Sequence, residues 1–289
     1  MSFRARIVVL VPVLALAVGS TARAAAPTPT LAIREGAMVP LAVRGETVQA
    51  YTVRPMRAGF YPGVVIVHEW WGLNSQIKGV ADRAAEAGYV AIAPDLYRGK
   101  LGTDTGLAHD LMRRLNENYA IDVIKSALVW LRAYDAQAVR RGPGREMPVA
   151  TIGFSMGGRL SLATALARAD VQAAVMYYGS VETDPGALGP LHVPLLGIFG
   201  NEDRDIPLDR IRAFEAALKE AGKDATVIVY PGVGHAFFNE ERPGYDKEAS
   251  HDAWERTKMF LTQNLGQAHM APAPPVPPKK APADATPLE

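Results

Sequence analysis

The chain contains no cysteine, which excludes disulfide bonds, thiolate metal sites and a thiol nucleophile. It also lacks a charge excess, because 31 basic residues stand against 30 acidic ones, and no basic stripe is interleaved with aromatic residues. Nucleic acid is therefore not an expected partner. What the chain does contain is 48% hydrophobic residues, which is typical of a globular protein with a large apolar core.

No hydrophobic run reaches the ~20 residues that a membrane-spanning helix needs. The apolar stretch at residues 7–19 is short and contains a proline, two arginines precede it, and an Ala-Arg-Ala sequence follows at 22–24. This layout predicts a secretory signal peptide over residues 1–24 rather than a membrane anchor. An exported chain without cysteine needs no oxidative folding, so we expect a periplasmic location.

The opposite end of the chain is rich in proline and alanine and almost free of bulky apolar residues. Such a composition cannot form a core, so residues 266–289 are predicted to be a disordered tail. A role for this tail as a surface spacer is the alternative. The folded part is then predicted to be one domain over residues 28–265.

Within this domain, short apolar runs alternate with segments of helical periodicity. The runs are continuously apolar, which indicates strands buried on both faces of a sheet. Strands that alternate with helices predict an α/β fold, with a doubly wound, mostly parallel sheet flanked by helices. The predicted strands cover residues 48–55, 63–69, 89–95, 149–154, 173–179, 194–200 and 226–230. The predicted helices cover residues 75–88, 107–115, 119–134, 156–168, 208–222 and 245–265.

A single serine stands among glycines in the sequence GFSMG at 153–157, directly after a predicted strand. One interpretation is a strand-to-helix turn in which glycines permit close packing and Ser155 merely caps the helix. The other is a nucleophile elbow, in which the serine occupies a strained turn that only glycine neighbours can accommodate. The rest of the chain has to decide between them.

An acid and a histidine follow two further predicted strands, Asp203 after 194–200 and His235 after 226–230. Serine, acid, histidine is the chain order of an α/β-hydrolase triad. In that chemistry an imidazole takes the proton of the serine, and a carboxylate fixes the tautomer of the imidazole. Asp203 alone could be a helix cap and His235 alone a loop residue. Because all three follow strands in this order, the pattern favours a catalytic triad of Ser155, His235 and Asp203.

Other acids and histidines are weaker candidates. Glu202 and Asp205 flank Asp203, but the position of Asp203 between Gly200 and Pro207 resembles the acid loops of hydrolases. The remaining histidines show no convincing ligand spacing, so the sequence predicts no metal and no cofactor. These histidines are His109, His192, His251 and His269.

Six motifs extend across nearly the whole predicted domain: VVIVHEWWGLN at 64–74, YVAIAPDLYRG at 89–99, IGFSMGG at 152–158, AAVMYYG at 173–179, GNEDRDIP at 200–207 and GHAFF at 234–238. Together they resemble the dienelactone hydrolases, or carboxymethylenebutenolidases. The resemblance implies the α/β-hydrolase fold and a small-molecule ester or lactone as substrate. It also implies that the backbone N–H groups of Trp70 and Met156 form the oxyanion hole, and that Glu69 points toward the nucleophile.

The first departure from this family concerns the nucleophile. Well-known members carry a cysteine, whereas this chain has Ser155. In those members the glutamate keeps the thiol protonated at rest, a service that a serine hydroxyl does not need. Glu69 is then either a structural hydrogen-bond acceptor or a group that polarises Ser155 in one rotamer.

The second departure concerns the two arginines with which the family binds a substrate carboxylate. At one position this chain has Gly99, with Arg98 one place early. At the other it has Asn239, with Arg242 nearby. We therefore expect neutral esters to be hydrolysed more efficiently than dienelactone.

The expected function is hydrolysis of carboxylic esters or lactones through an acyl-enzyme intermediate. The alternatives are a broad carboxylesterase on aromatic or polyester-type esters, and a non-catalytic exported binding protein. The oligomeric state stays open, with a monomer favoured. The aromatic side chains expected near the substrate could instead pack in the core. The expected substrate contacts are Trp71, Tyr97, Arg98, Phe237, Phe238 and Asn239.

Overall fold

The computed structural model describes residues 31–138, 146–267 and 269–270. The predicted signal peptide and most of the predicted tail lie outside these residues. The strands are β1 (Ala37–Val43), β2 (Glu46–Val53), β3 (Gly59–Phe60), β4 (Gly63–Val67), β5 (Val90–Pro94), β6 (Val149–Phe154), β7 (Ala173–Tyr177), β8 (Leu195–Gly200), β9 (Ala225–Tyr230) and β10 (His269–Met270). The helices are α1 (Ser75–Glu86), α2 (Thr105–Arg114), α3 (Glu117–Ala138), α4 (Met156–Leu166), α5 (Pro185–Leu188), α6 (Leu208–Glu220) and α7 (Lys247–Leu265).

Eight strands form one sheet in the order β1-β2-β5-β4-β6-β7-β8-β9. The pairs β1–β2 and β2–β5 are antiparallel, and every pair from β5 through β9 is parallel. The short strands β3 and β10 pair with each other, so the first residues of the predicted tail contact the body. The mostly parallel α/β sheet confirms the predicted fold class.

Both faces of the sheet are covered, as the continuous apolar runs predict. All five residues of β4 are buried. Successive side chains of a strand point to opposite faces. Val65 and Val67 accordingly pack in the core beneath α3, α4 and α6. Val64 and Ile66 pack in the core beneath α1 and α7.

Every strand and helix predicted from the sequence is present, although the ends differ by several residues at some elements. The last helix of the domain, α7, ends at Leu265, the predicted end of the folded part. The sequence analysis did not predict β1. None of the described helices is both long enough and apolar enough to cross a lipid bilayer.

Candidate active site

Ser155 lies in the turn between β6 and α4, with φ 52° and ψ −116°. L-residues rarely adopt this backbone conformation, which costs ~1–3 kcal/mol and persists only where surrounding contacts enforce it. One such contact is the N–H of Ser155, which donates to the carbonyl of Tyr177 at 2.9 Å. The turn is therefore fixed to the end of the neighbouring strand β7.

The glycines around Ser155 are required by backbone packing. A Cβ on Gly153 would lie 1.9 Å from the carbonyl oxygen of Gly157. A Cβ on Gly157 would lie 2.2 Å from the carbonyl oxygen of Val67 at the end of β4. Any larger residue at either position would force the turn away from the sheet. The glycines thus allow the serine to stand in a sharp, closely packed turn.

Ser155, His235 and Asp203 form a continuous hydrogen-bonded series. The Oγ of Ser155 is 2.8 Å from Nε2 of His235, and Nδ1 of His235 is 2.8 Å from Oδ2 of Asp203. Each residue follows a parallel strand, respectively β6, β9 and β8. Because the carboxyl ends of parallel strands meet at one edge of the sheet, the three side chains converge there.

The acid of this series is distinguished from its neighbour by burial and hydrogen bonding. The Asp203 side chain is fully buried, and its Oδ1 accepts the N–H groups of Asp205 and Ile206 at 2.8 and 3.0 Å. Asp205 is 3.9 Å from Nδ1 of His235, and its side chain is 76% exposed. Asp203 is therefore held in one orientation toward the imidazole, whereas Asp205 contributes charge from the rim.

The carboxylates around His235 raise the pKa of its imidazole. Burial lowers the pKa of His235, but the hydrogen bond and charge of Asp203 raise it more, and Asp205 and Glu69 add to that rise. The net pKa lies above the ordinary histidine value. A proton taken up by this imidazole is thus stabilised by the surrounding carboxylates.

Glu69 is buried and both of its carboxylate oxygens have partners. The Tyr178 hydroxyl donates to Oε1 at 3.1 Å, and the Asn239 amide donates to Oε2 at 2.7 Å. Burial raises the pKa of Glu69 although both hydrogen bonds oppose the rise. The partners of the Glu69 carboxylate among the described residues are thus Tyr178 and Asn239, and Ser155 is not one of them. The Tyr178 ring packs edge-on against His235, with the ring centroids 5.1 Å apart.

His68, which precedes this glutamate, is a fully buried histidine held at both ring nitrogens. The backbone N–H of Leu96 donates to Nε2 at 3.2 Å, which leaves the proton on Nδ1. Nδ1 then donates to the carbonyl of Glu69 at 2.6 Å. Burial lowers the pKa of His68 and so keeps it neutral. The sequence singled out His68 only as part of a motif.

A cavity of about 510 Å³ opens above Ser155 and His235. Its apolar wall consists of Trp70, Met112, Leu115, Met156, Leu160 and Ile206. Its polar wall includes His109, Glu117, Tyr178, Arg159, Ser180 and Asp205. Met156 is the first residue of α4, and the first N–H groups of a helix have no intrahelical acceptor. The cavity thus joins a hydroxyl–imidazole pair to an apolar chamber with a few charged groups.

One cluster within the described residues could geometrically hold a cation. The ligand atoms of Asp203, Asp205 and His235 lie within 4.8 Å of one another. Two of these residues already share the 2.8 Å hydrogen bond between Nδ1 and Oδ2. A metal ion would have to displace that bond, so the arrangement fits a hydrogen-bonded pair better than a ligand set.

A sequence profile of the dienelactone hydrolase family matches residues 48–265. The chain belongs to the dienelactone hydrolase family. A Yersinia pestis protein provisionally named carboxymethylenebutenolidase is 31% identical over 236 residues, which cover 76% of this chain and 85% of the relative. These findings confirm the resemblance drawn from the sequence motifs, and they make the chain a hydrolase.

Solved structures give the same fold. A provisionally named dienelactone hydrolase from Klebsiella pneumoniae superposes with a TM-score of 0.71 at 28% identity, covering 80% of this chain and 99% of that one. A thermophilic esterase from Thermogutta terrifontis superposes with a TM-score of 0.59 at 21% identity, covering 82% of this chain and 94% of that one. Such neighbours identify the eight-stranded sheet as an α/β-hydrolase fold.

Three of the expected substrate contacts lie near the candidate active site, but they are not among the described residues that line its cavity. Trp71 is nearly buried beneath the guanidinium of Arg242, which is 3.5 Å from the ring centroid. The Tyr97 hydroxyl donates to the sulfur of Met156 at 3.3 Å, so it supports the wall from behind. Arg98 points away and pairs with Glu46 at 2.7 Å. Contact of these three residues with a substrate stays a prediction.

The other three expected contacts are fully buried. Phe237 and Phe238 belong to the core between the sheet and α7, where Phe238 stacks on Phe154 with centroids 5.2 Å apart. Asn239 holds Glu69 and accepts the N–H of Glu241 at 3.0 Å. The two phenylalanines follow His235 closely along the chain, but their apolar rings lie in the core, where burial removes them from water.

Sequence reasoning missed most of the residues that do line the cavity. They come from α2, from the start of α3 and from the first turn of α4, which carry His109, Met112, Glu117 and Arg159. Arg159 stands four residues after Ser155, and that spacing was the one available signal. The positions of α2 and α3 over the site depend on tertiary packing that local pattern does not encode.

Proposed function

We propose that this hydrolase cleaves carboxylic esters or lactones through a Ser155–His235–Asp203 triad and an acyl-enzyme intermediate. The observation that carries the proposal is the pair of 2.8 Å hydrogen bonds that link the three side chains at the floor of the cavity. A serine hydroxyl is a weak nucleophile until a base within hydrogen-bond reach takes its proton. His235 is at that distance, and Asp203 fixes its tautomer.

In the first half-reaction, Oγ of Ser155 bonds to the carbonyl carbon as Nε2 of His235 takes the hydroxyl proton. The carbonyl electron pair moves onto oxygen, and the N–H groups of Trp70 and Met156 stabilise that oxyanion. The electron pair on the oxyanion then re-forms the carbonyl bond, and the bond to the leaving alkoxide breaks. His235 gives its proton to the alkoxide. The alcohol leaves and the acyl group stays on Ser155.

In the second half-reaction, a water molecule replaces the alcohol. His235 takes a proton from the water as its oxygen bonds to the acyl carbon. The second tetrahedral intermediate collapses, the bond to Oγ of Ser155 breaks, and His235 returns the proton to that oxygen. The products are the alcohol and the carboxylic acid, and a lactone gives both in one molecule.

The charge around His235 supports this cycle. The imidazole is positively charged in both tetrahedral intermediates, and the raised pKa means that Asp203, Asp205 and Glu69 stabilise that form. Glu69 acts from beyond Tyr178, as a hydrogen-bond acceptor rather than as a base for Ser155. In the proposed cycle, His235 is therefore the proton acceptor in both half-reactions.

We also propose that the enzyme works outside the cytoplasm. The support is the predicted signal peptide over residues 1–24, with its arginines, apolar core and Ala-Arg-Ala site. A cysteine-free chain folds without disulfide exchange, which suits the periplasm.

A broad carboxylesterase is the second candidate, and the apolar wall of the cavity favours it. Trp70, Met112 and Leu115 offer contact to an aromatic or alkyl group without demanding a charged partner. A panel of aliphatic esters, aryl esters, polyester oligomers and lactones, compared by kcat/KM, separates it from a narrow lactonase.

The test of the triad is a fluorophosphonate probe together with an ester assay. The parent should be labelled at Ser155 and hydrolyse esters, whereas Ser155→Ala should lose labelling and ~10⁶-fold in kcat. Ser126→Ala is the matched control, because Ser126 lies on α3 and donates to the carbonyl of Ala42, away from the cavity. A parent that folds but is neither labelled nor active would make the chain a non-catalytic binding protein.

A further inference from the structure

The wall of the cavity formed by α3 and α4 carries an ion pair. Glu117, the first residue of α3, pairs with Arg159 on α4, and both line the cavity together with Ser155. The N–H of Arg159 donates to the carbonyl of Ser155 at 3.1 Å, so one helical turn separates the guanidinium-bearing residue from the nucleophile. The pair therefore stands beside the place where a substrate must bind.

The arginines nearest in sequence to the family's carboxylate-binding positions are engaged elsewhere. Arg98 pairs with Glu46, and its guanidinium lies 4.7 Å from the ring centroid of Tyr119. The guanidinium carbon of Arg242 lies 3.5 Å from the ring centroid of Trp71. Neither lines the cavity as described, which leaves Arg159 as the guanidinium that a substrate would meet.

Carboxylates outnumber guanidinium and ammonium groups among the side chains that line the described cavity. Besides the histidines His109 and His235, the charged side chains that line it are the carboxylates of Glu117 and Asp205 and the guanidinium of Arg159. Glu117 neutralises Arg159, and Asp205 stands exposed beside His235. A substrate carboxylate would meet a guanidinium that is already paired and an exposed carboxylate beside the imidazole of His235.

We propose that the Glu117–Arg159 pair sets the charge specificity of the site, so that neutral carboxylic esters are the substrate class. A guanidinium holds a carboxylate through two parallel hydrogen bonds, and Glu117 occupies the group that would otherwise bind an anionic substrate. Both side chains are partly exposed, so the guanidinium of Arg159 is accessible to a substrate carboxylate once Glu117 loses its charge. This inference rests on the ester hydrolysis proposed above.

The experiment compares methyl 4-acetoxybenzoate, which is neutral, with 4-acetoxybenzoate, which carries a carboxylate at the same ring position. The parent, Glu117→Gln, Arg159→Gln and the double variant are assayed with both esters. The measured quantity is the ratio of kcat/KM for the anion to kcat/KM for the neutral ester. Taking this ratio cancels any general change of turnover in a variant. Labelling of Ser155 by a fluorophosphonate shows that each variant has an intact site.

The parent should prefer the neutral ester. Glu117→Gln should raise the anion-to-neutral ratio about 10- to 100-fold, the range of a charge-assisted hydrogen bond, because Arg159 is then unpaired. Arg159→Gln should lower the ratio, because Glu117 is then an unpaired anion in the wall. The double variant removes one charge of each sign, so its ratio should return toward that of the parent.

Two results would overturn the inference and leave the triad standing. One is a labelled, active Glu117→Gln variant whose ratio stays within about twofold of the parent, since a lost charge-assisted bond is worth more than that. The other is a parent that is labelled at Ser155 but prefers the anion or rejects the neutral ester. A parent that is neither labelled nor active on either ester instead refutes the proposed function itself.

Discussion

At the scale of single residues, the proposed triad makes activity depend on the protonation of His235. Its imidazole must be neutral to take the proton of Ser155, so kcat/KM should rise with pH through the pKa of His235. Because the carboxylates raise that pKa, the rising limb should lie above the ordinary value of about 6.5. A pH profile of kcat/KM on a neutral ester measures it.

Asp205→Asn sharpens this prediction. The substitution removes a negative charge 3.9 Å from Nδ1 of His235, so the imidazolium is less stabilised and the limb should move to lower pH. The Asp205 side chain is mostly exposed, so the shift should stay below about one pH unit, and 1 M salt should shrink it. A shift to higher pH, or one that salt does not change, would contradict the electrostatic account.

His68 offers a second prediction, because it holds the peptide group that joins Glu69 to Trp70. A trans peptide points its carbonyl and N–H in opposite directions, so the bond from Nδ1 to the Glu69 carbonyl also aims the Trp70 N–H. His68→Leu removes that donor and should lower kcat about 5- to 100-fold, the range for a lost buried hydrogen bond, with a smaller change in KM.

His68→Asn is the matched variant for this test. It keeps an N–H donor near the position of Nδ1, while the Leu96 N–H loses its acceptor in both variants. We expect Asn to recover part of the lost kcat although both variants lower the melting temperature. If Asn and Leu reduce kcat equally, His68 serves folding and does not aim the oxyanion peptide.

At the scale of elements, α2 is the least anchored part of the cavity wall. Ala108 is the one buried residue among its ten, and a Cβ on Gly102 would lie 2.6 Å from the Cβ of Ala108. Gly102→Ala should therefore push α2 outward, together with His109 and Met112, and raise KM for aryl esters several-fold. Steady-state kinetics on one aryl ester measures this change.

The control for this substitution lies on α1. Gly79 is helical, and a Cβ there would meet no atom within 4 Å. Gly79→Ala should raise stability by about 1 kcal/mol, because alanine favours the helix over glycine, and should leave KM unchanged. Unaltered KM in Gly102→Ala would mean that α2 does not shape the binding site.

The strands that are buried on both faces of the sheet could be predicted, because each of them is a continuous apolar run in the sequence. The edge strand β1 could not, since four of its seven residues are exposed and Pro40 interrupts the pattern. The sequence did offer one signal, the glycine at position 45. Arg44 and Gly45 have φ values of 50° and 83°, which suit a two-residue hairpin turn between β1 and β2.

The candidate site divides in the same way. Ser155, Asp203 and His235 could be placed together from sequence, because parallel strands end at one edge and each residue follows such a strand. The cavity wall could not be placed, because α2 and α3 reach the site through packing between distant segments. Phe237 shows that closeness in the chain does not place a residue in the cavity wall, since it lies two residues from His235 and yet is fully buried in the core.

At the scale of the whole molecule, the predicted signal peptide should be removed on export. Cleavage after Ala24 takes away three arginines and no acid, so the mature chain should carry 28 basic and 30 acidic residues. When the protein is expressed in a Gram-negative host, it should appear in the periplasmic fraction. Its measured mass should be that of a chain whose first residue is Ala25. Leu14→Arg breaks the apolar core of the signal and should leave the full-length chain in the cytoplasm. If the parent protein were found in the periplasm at its full length, the predicted cleavage would be wrong.

The backbone conformation of Ser155, the proposed nucleophile, has a consequence for how this hydrolase would respond to selection. Glycine tolerates the φ of 52° at position 155, so Ser155→Gly should raise the free energy of unfolding by roughly 1 kcal/mol, whereas Ser155→Ala keeps the strain. In a library screened for heat resistance alone, glycine at this position should be enriched, and every such winner should be inactive. Thermal stability and catalytic activity therefore make opposite demands on the φ angle of residue 155. Directed evolution of a more stable variant needs a screen for activity in every round.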